Sequence, residues 1–112
     1  MQTQIQAKSF ELHPAQKFVV DRGLAKVGRL LKHVPSELLL ANVVISCHHT
    51  PDPVFTSHLY LEMPSQKITS SATNRKFAIA FNESLNKLMR QLRKRKTALL
   101  QSREKMDAFK SA

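Results

Sequence analysis

A chain of 112 residues with 42% apolar side chains is long enough for one domain with a small core, and too apolar for intrinsic disorder. Its 18 Lys+Arg against 8 Asp+Glu leave a formal net charge of +10, which favours a polyanionic partner, nucleic acid before an anionic membrane. A single cysteine, Cys47, excludes an internal disulfide framework and suits a reducing compartment.

The opening MQTQIQAKSFEL has no apolar h-region and alternates polar with apolar residues. It reads as a first strand over residues 3–8, with Ile5 and Ala7 on one face, rather than as a leader. No stretch approaches the ~20 apolar residues of a membrane span, so a cytoplasmic location is expected, or its equivalent in an organelle. Pro14 suits the first turn of a helix, where its missing N–H is not needed. From there to about His33, Val20, Leu24, Val27 and Leu31 form an apolar stripe, with Arg22, Lys26 and Arg29 pointing roughly the other way. Gly23 and Gly28 each weaken this helix by about 1 kcal/mol relative to alanine. Phe18 lies away from the stripe, beside Arg22 and Arg29. It either covers the sheet edge or the neighbouring helix, or it is an exposed aromatic that stacks on a nucleobase or ribose.

Pro35 and Ser36 break the helix, and Leu39 to Cys47 is nearly continuous in apolar character, as in an interior strand. After the loop HHTPDP, the run from Phe55 to Met63 alternates. Phe55, Ser57, Leu59, Leu61 and Met63 are expected inward; Thr56, His58, Tyr60 and Glu62 face solvent or a ligand. Pro64-Ser65 makes a tight reversal into a weaker edge strand over residues 66–73, with Ile68, Ser70 and Ala72 on one face. Asn74 suits the N-cap of a long helix whose first turn is Arg75 to Phe77.

That helix, expected to run to Leu100, organises the chain. Phe77, Phe81, Leu85, Leu88 and Leu92 follow at steps of four, four, three and four, the spacing of one helical face. Opposite them stand Lys87, Arg90 and Lys94, with Arg93 beside them. Between Lys87 and Lys96 there are six cations and no acid. A helix that only needed solvation would interleave both signs, because like charges at i,i+4 oppose it. A single domain over residues 1–100 is expected, with 101–112 as a frayed C-terminal tail of mixed charge.

The order β-α-β-β-β-α, with one apolar face on each helix, predicts an α/β (α+β) two-layer sandwich: a four-stranded sheet with both helices on one face. The first crossover is expected to be right-handed and to pair its strands in parallel, the others to be antiparallel. Chemistry has little to stand on. Cys47, His48, His49 and His58 lack the spacing of a zinc site, the eight carboxylates are scattered, and no phosphate loop or nucleophile motif is present. No enzyme activity, metal or cofactor is therefore expected. What remains is one basic surface, Arg22, Lys26 and Arg29 joined by Lys87, Arg90, Arg93 and Lys94 and extended by Lys96. RNA binding is its sharpest reading. A general structured-RNA module, or a basic interaction protein for an acidic partner or anionic membrane, is the alternative, and solvated helix faces the bland one.

The segments LHPAQKFVVDRGLAKVGRLLKH and NKLMRQLRKRKTAL resemble the two helices of the ribosome hibernation-promoting factor family, also called ribosome-associated inhibitor A or sigma-54 modulation protein. Leu24, Ala25, Lys26 and Val27 match a pattern like LAKLE. Asn86, Lys87, Leu88, Arg90, Gln91, Leu92 and Lys94 match one like NKLERQLNK. The resemblance implies binding to the small ribosomal subunit, in the channel for mRNA and tRNA, with translation shut down in stress or stationary phase. It carries over Lys26, Lys87, Arg90 and Lys94 as contacts to ribosomal RNA phosphates, whereas Arg22, Arg29, Arg93 and Lys96 follow from face geometry. Gly23, Gly28, Met89 and the stretch Asn74 to Phe77 depart from the family pattern. The chain looks like a short form, without the further C-terminal domain of long members.

Overall fold

The structure, a computed structural model, describes the backbone of residues 1–49, 51–64 and 66–110, and side-chain surroundings for these up to residue 94. Strand β1 (Gln2–Lys8) leads into helix α1 (Pro14–Leu30); β2 (Leu40–His48), β3 (Val54–Met63) and β4 (Gln66–Asn74) follow, and helix α2 (Phe77–Lys110) closes the order. The four strands lie side by side in the order β1-β2-β3-β4. β1 pairs with β2 in parallel, and the other two pairings are antiparallel. The expected β-α-β-β-β-α sandwich is the observed one.

The register explains which residues are buried. Ile5, Val43, Leu59 and Ser70 line up across the sheet, as do Ala41, Leu61 and Ile68. Strand side chains alternate faces, so these rows point to one side. There they meet Val20, Leu24 and Val27 of α1 and Phe81, Leu85 and Leu88 of α2 in one core. The other sheet face carries Gln4, Asn42, Tyr60 and Thr69 in a row and has no helix over it. At one end of the core Phe10, Phe55 and Phe77 meet edge to face, with centroids 5.3 to 6.0 Å apart.

Helix α2 runs to Lys110 rather than to Leu100, and two further boundaries differ from expectation. Helix α1 stops at Leu30, and its last bond runs from the Leu31 N–H to the Val27 carbonyl. Pro35 disfavours helical backbone at Val34, so the residues between form turns. Asn74 is the last residue of β4, paired with Phe55, and not the N-cap. Its Oδ1 accepts from the Lys76 N–H at 3.0 Å, a turn that delivers the chain to α2 two residues later than expected.

Two polar or small positions set how the helices sit. Ser57 and Ser84 are fully buried and their hydroxyls are 2.9 Å apart. Ser84 Oγ donates to the Phe81 carbonyl at 2.7 Å, so Ser57 is the donor between them. Ser70 Oγ donates to the Ser84 carbonyl at 2.7 Å. This seam fixes α2 over β3 and β4. Gly23 fixes α1: a Cβ there would stand 2.6 Å from Phe81 Cε1 and 2.9 Å from Leu85 Cδ2. Both are core side chains, so they have nowhere to retreat.

Urea denaturation checks these points. Gly23→Ala should lower stability by about 1–3 kcal/mol through overpacking, outweighing its gain in helix propensity. Gly28→Ala, with nothing within 4 Å of the added methyl, should raise it by up to about 1 kcal/mol. Ser84→Ala should cost about 1–3 kcal/mol because the Ser57 hydroxyl loses its buried partner, and adding Ser57→Ala should recover part of that loss.

Candidate nucleic-acid interface

α1 and α2 touch where Gly23 meets Phe81 and Leu85. Beside that contact an open cleft of 560 Å³ is lined by Lys26 from α1 and by Asn82, Leu85, Asn86, Met89, Arg90 and Arg93 from α2. Its walls are cationic and amide, and the buried Leu85 and half-buried Met89 form its apolar floor. Among the described residues no carboxylate pairs with Lys26, Arg90 or Arg93; the ion pair found there is Lys67 with Glu62, at 3.3 Å. Unpaired guanidinium forks facing one cleft suit phosphate oxygens, which they bind bidentately. Asn82 and Asn86 add donors for phosphate or ribose oxygens.

The expected basic residues do not all share this cleft. Arg22 and Arg29 are exposed two turns apart on α1. Lys87 lies on the other flank of α2, where its Nζ donates to the Ser71 carbonyl at 3.0 Å, and Lys94 follows two turns later. Gln91 Nε2 donates to the Thr69 carbonyl on the same flank at 2.9 Å. Both carbonyls belong to the free edge of β4, so these side chains cap an edge otherwise open to pairing with another chain. The ammonium of Lys87 keeps two further donors for an anion. The side chain of Lys96 lies outside the described residues, as do the side chains of the tail 101–112.

Phe18 is 64% exposed, so it does not cover the sheet or the neighbouring helix. Asn82 and Asn86 carry no charge to mark them in the sequence, although with Arg90 and Arg93 they keep an i, i+4, i+8, i+11 spacing. That period was the available signal. Cys47 is a core residue, 4% exposed, whereas His58 points to the opposite sheet face and stacks near Tyr60. Among the described residues no three His, Cys, Asp or Glu side chains converge as metal ligands would. His49 braces the fold instead, since its Nε2 donates to the Ser9 carbonyl at 2.6 Å and ties the exit of β2 to that of β1. No described helix is long and apolar enough to cross a membrane.

The fold has solved counterparts. The N-terminal domain of Thermus thermophilus Protein Y superposes with a TM-score of 0.69 at 17% identity, over 84% of this chain and 98% of that one. A ribosomal subunit interface protein from Coxiella burnetii gives a TM-score of 0.69 at 15% identity, over 87% and 99% of the two chains. No sequence relative was found among curated proteins. The model of the family described as sigma 54 modulation protein / S30EA ribosomal protein matches residues 3–99, from β1 well into α2. The chain therefore belongs to the sigma 54 modulation protein / S30EA ribosomal protein family.

Proposed function

We propose that this protein is a ribosome hibernation factor: it binds the small ribosomal subunit in the channel used by mRNA and tRNA, and inhibits translation during stress or stationary phase. The observation that carries the reading is the cleft in which Lys26, Arg90 and Arg93 stand without acidic partners among the described residues, on a chain of this family. The protein acts by occupancy rather than by catalysis, with no cofactor, in the cytoplasm where ribosomes work. Lys26, Arg90 and Arg93 are the central contacts to ribosomal RNA phosphates, with Arg22 and Arg29 along the crest of α1. Lys87, Lys94 and Lys96 extend them around α2, and Phe18 is an exposed ring for stacking on a base or ribose. Phosphate contacts position a protein without reading sequence, so selectivity comes from the shape of the folded RNA.

The apolar stripes Val20 to Leu31 and Phe77 to Leu92 are packed into the core, which disfavours these helix faces lying in a membrane surface. A general RNA-binding module predicts similar affinity for any structured RNA. Co-sedimentation with ribosomal subunits over a salt series separates the readings. The expected result is preference for small subunits and whole ribosomes, displacement by mRNA with initiator tRNA, and loss of roughly 0.7–0.9 log units of affinity per phosphate contact per log unit of salt. Equal binding to both subunits and to bulk RNA would leave only a generic basic module.

Arg90→Glu with Arg93→Glu should weaken binding by about two orders of magnitude at physiological salt, with an unchanged circular dichroism spectrum because both side chains are exposed. Lys87→Glu, on the far flank, should cost less. Wild-type binding by the double variant would remove the cleft from the interface.

A further inference from the structure

The sheet face turned away from the helices carries a second assembly that the cleft does not use. Gln4, Asn42, Tyr60 and Thr69 form one row across it, Gln6, Val44, His58 and Ser71 the next, and Gln2, Leu40, Glu62 and Lys67 the row on the other side. In this polar field two rings stand out. Tyr60 is 41% exposed, and the His58 ring lies nearly parallel to it, at 21° with centroids 6.4 Å apart. Beside Tyr60 a depression of 220 Å³ is lined by Leu40, Asn42, Tyr60 and Glu62. It is smaller than the ~300–1,000 Å³ of sites for drug-sized molecules and suits a single planar ring system.

We propose that this face is a base-binding site for single-stranded RNA, in which an unpaired base stacks on Tyr60 and presents its amino edge to Glu62 and Asn42. An exposed aromatic on an uncovered four-stranded sheet offers a π-face that any base can use. The charges decide what part of the nucleic acid sits there. Glu62 is an acceptor on a chain whose net charge is +10, so it repels a phosphate but accepts from the exocyclic amino group of cytosine or the N1–H and amino group of guanine. Asn42 supplies both a donor and an acceptor alongside. Lys67, 3.3 Å from Glu62 and 77% exposed, is free to swing to the flanking phosphate, because an exposed ion pair contributes no more than about 1 kcal/mol. Uracil has no amino group and should bind more weakly than guanine or cytosine.

The site reports on itself. Tyr60 is the sole tyrosine and there is no tryptophan, so the intrinsic emission above that of phenylalanine comes from this ring alone. The test is the tyrosine fluorescence intensity of the full chain, corrected for absorption by the RNA, with RNA hexamers of uridine, with and without central guanosines or cytidines. Parallel anisotropy titrations of labelled hexamers are run in an Arg90→Glu, Arg93→Glu background that weakens the cleft. Guanosine or cytidine should quench the emission in both backgrounds. Tyr60→Leu should weaken binding of the guanosine hexamer about ten-fold or more, and Tyr60→Phe should retain it. Glu62→Gln should reduce the preference over uridine by about five-fold or more. An unchanged intensity at saturation, or equal affinity for the native ring and Tyr60→Leu, would overturn the site. Because the Tyr60 signal is read with the cleft reversed, its loss and a failure of ribosome binding through the cleft are separate results.

Discussion

The contact between Gly23 and the Phe81 ring governs how the helical layer is built. With Phe81 fully buried and a Cβ at position 23 excluded by a 2.6 Å approach, α1 sits close against α2 instead of standing off by a side chain. That closeness brings Lys26, one turn beyond Gly23, to the same cleft as Arg90 and Arg93. A glycine that looks like a defect in helix propensity is therefore a packing device. The buried serine seam plays the matching part for α2, holding its rotation so that Asn82, Asn86 and Arg93 turn toward α1 while Lys87 and Gln91 turn toward the edge of β4.

Electrostatics then divides the molecule into two unlike surfaces. Among the described residues the cleft cations Lys26, Arg90 and Arg93 have no acidic partner, an arrangement whose self-repulsion folding tolerates because the apolar stripes beneath, to Leu31 on α1's side and Leu92 on α2, pack into the core. The sheet face is close to neutral, and its Glu62 and Lys67 pair with each other. One surface suits the backbone of a nucleic acid, which is charge without sequence; the other suits a base, which is shape and hydrogen bonds without charge.

Much of this was legible from the residues because period and polarity agreed. The stripe from Phe77 to Leu92, the alternation from Phe55 to Met63 and the apolar run of β2 each had one consistent reading, and all lie where they were expected. Boundaries were less legible. Asn74 has the chemistry of a cap, but its pairing with Phe55 keeps it in the sheet, a tertiary fact that local chemistry does not carry. The division of the basic residues between two flanks of α2 was also hidden. Helical angles put Lys87 and Arg90 on one solvent-facing arc, and only the position of β4 on one side and α1 on the other separates them. The cleft asparagines were hidden for a different reason: a polar residue on an exposed helix face is ordinary until a second helix stands beside it.

The proposed function rests on the interhelical cleft lying against ribosomal RNA. A photo-cross-linking side chain placed at Asn86, inside the cleft, tests that contact most directly, with one at Glu37, in the connection between α1 and β2, as the comparison. Each labelled full-length protein is bound to purified small subunits, irradiated, and the attached product identified. The Asn86 probe should attach to ribosomal RNA in the mRNA and tRNA channel, far more efficiently than the Glu37 probe. Attachment of the Asn86 probe only to ribosomal proteins, or none at all from a variant that still binds normally, would contradict the assignment.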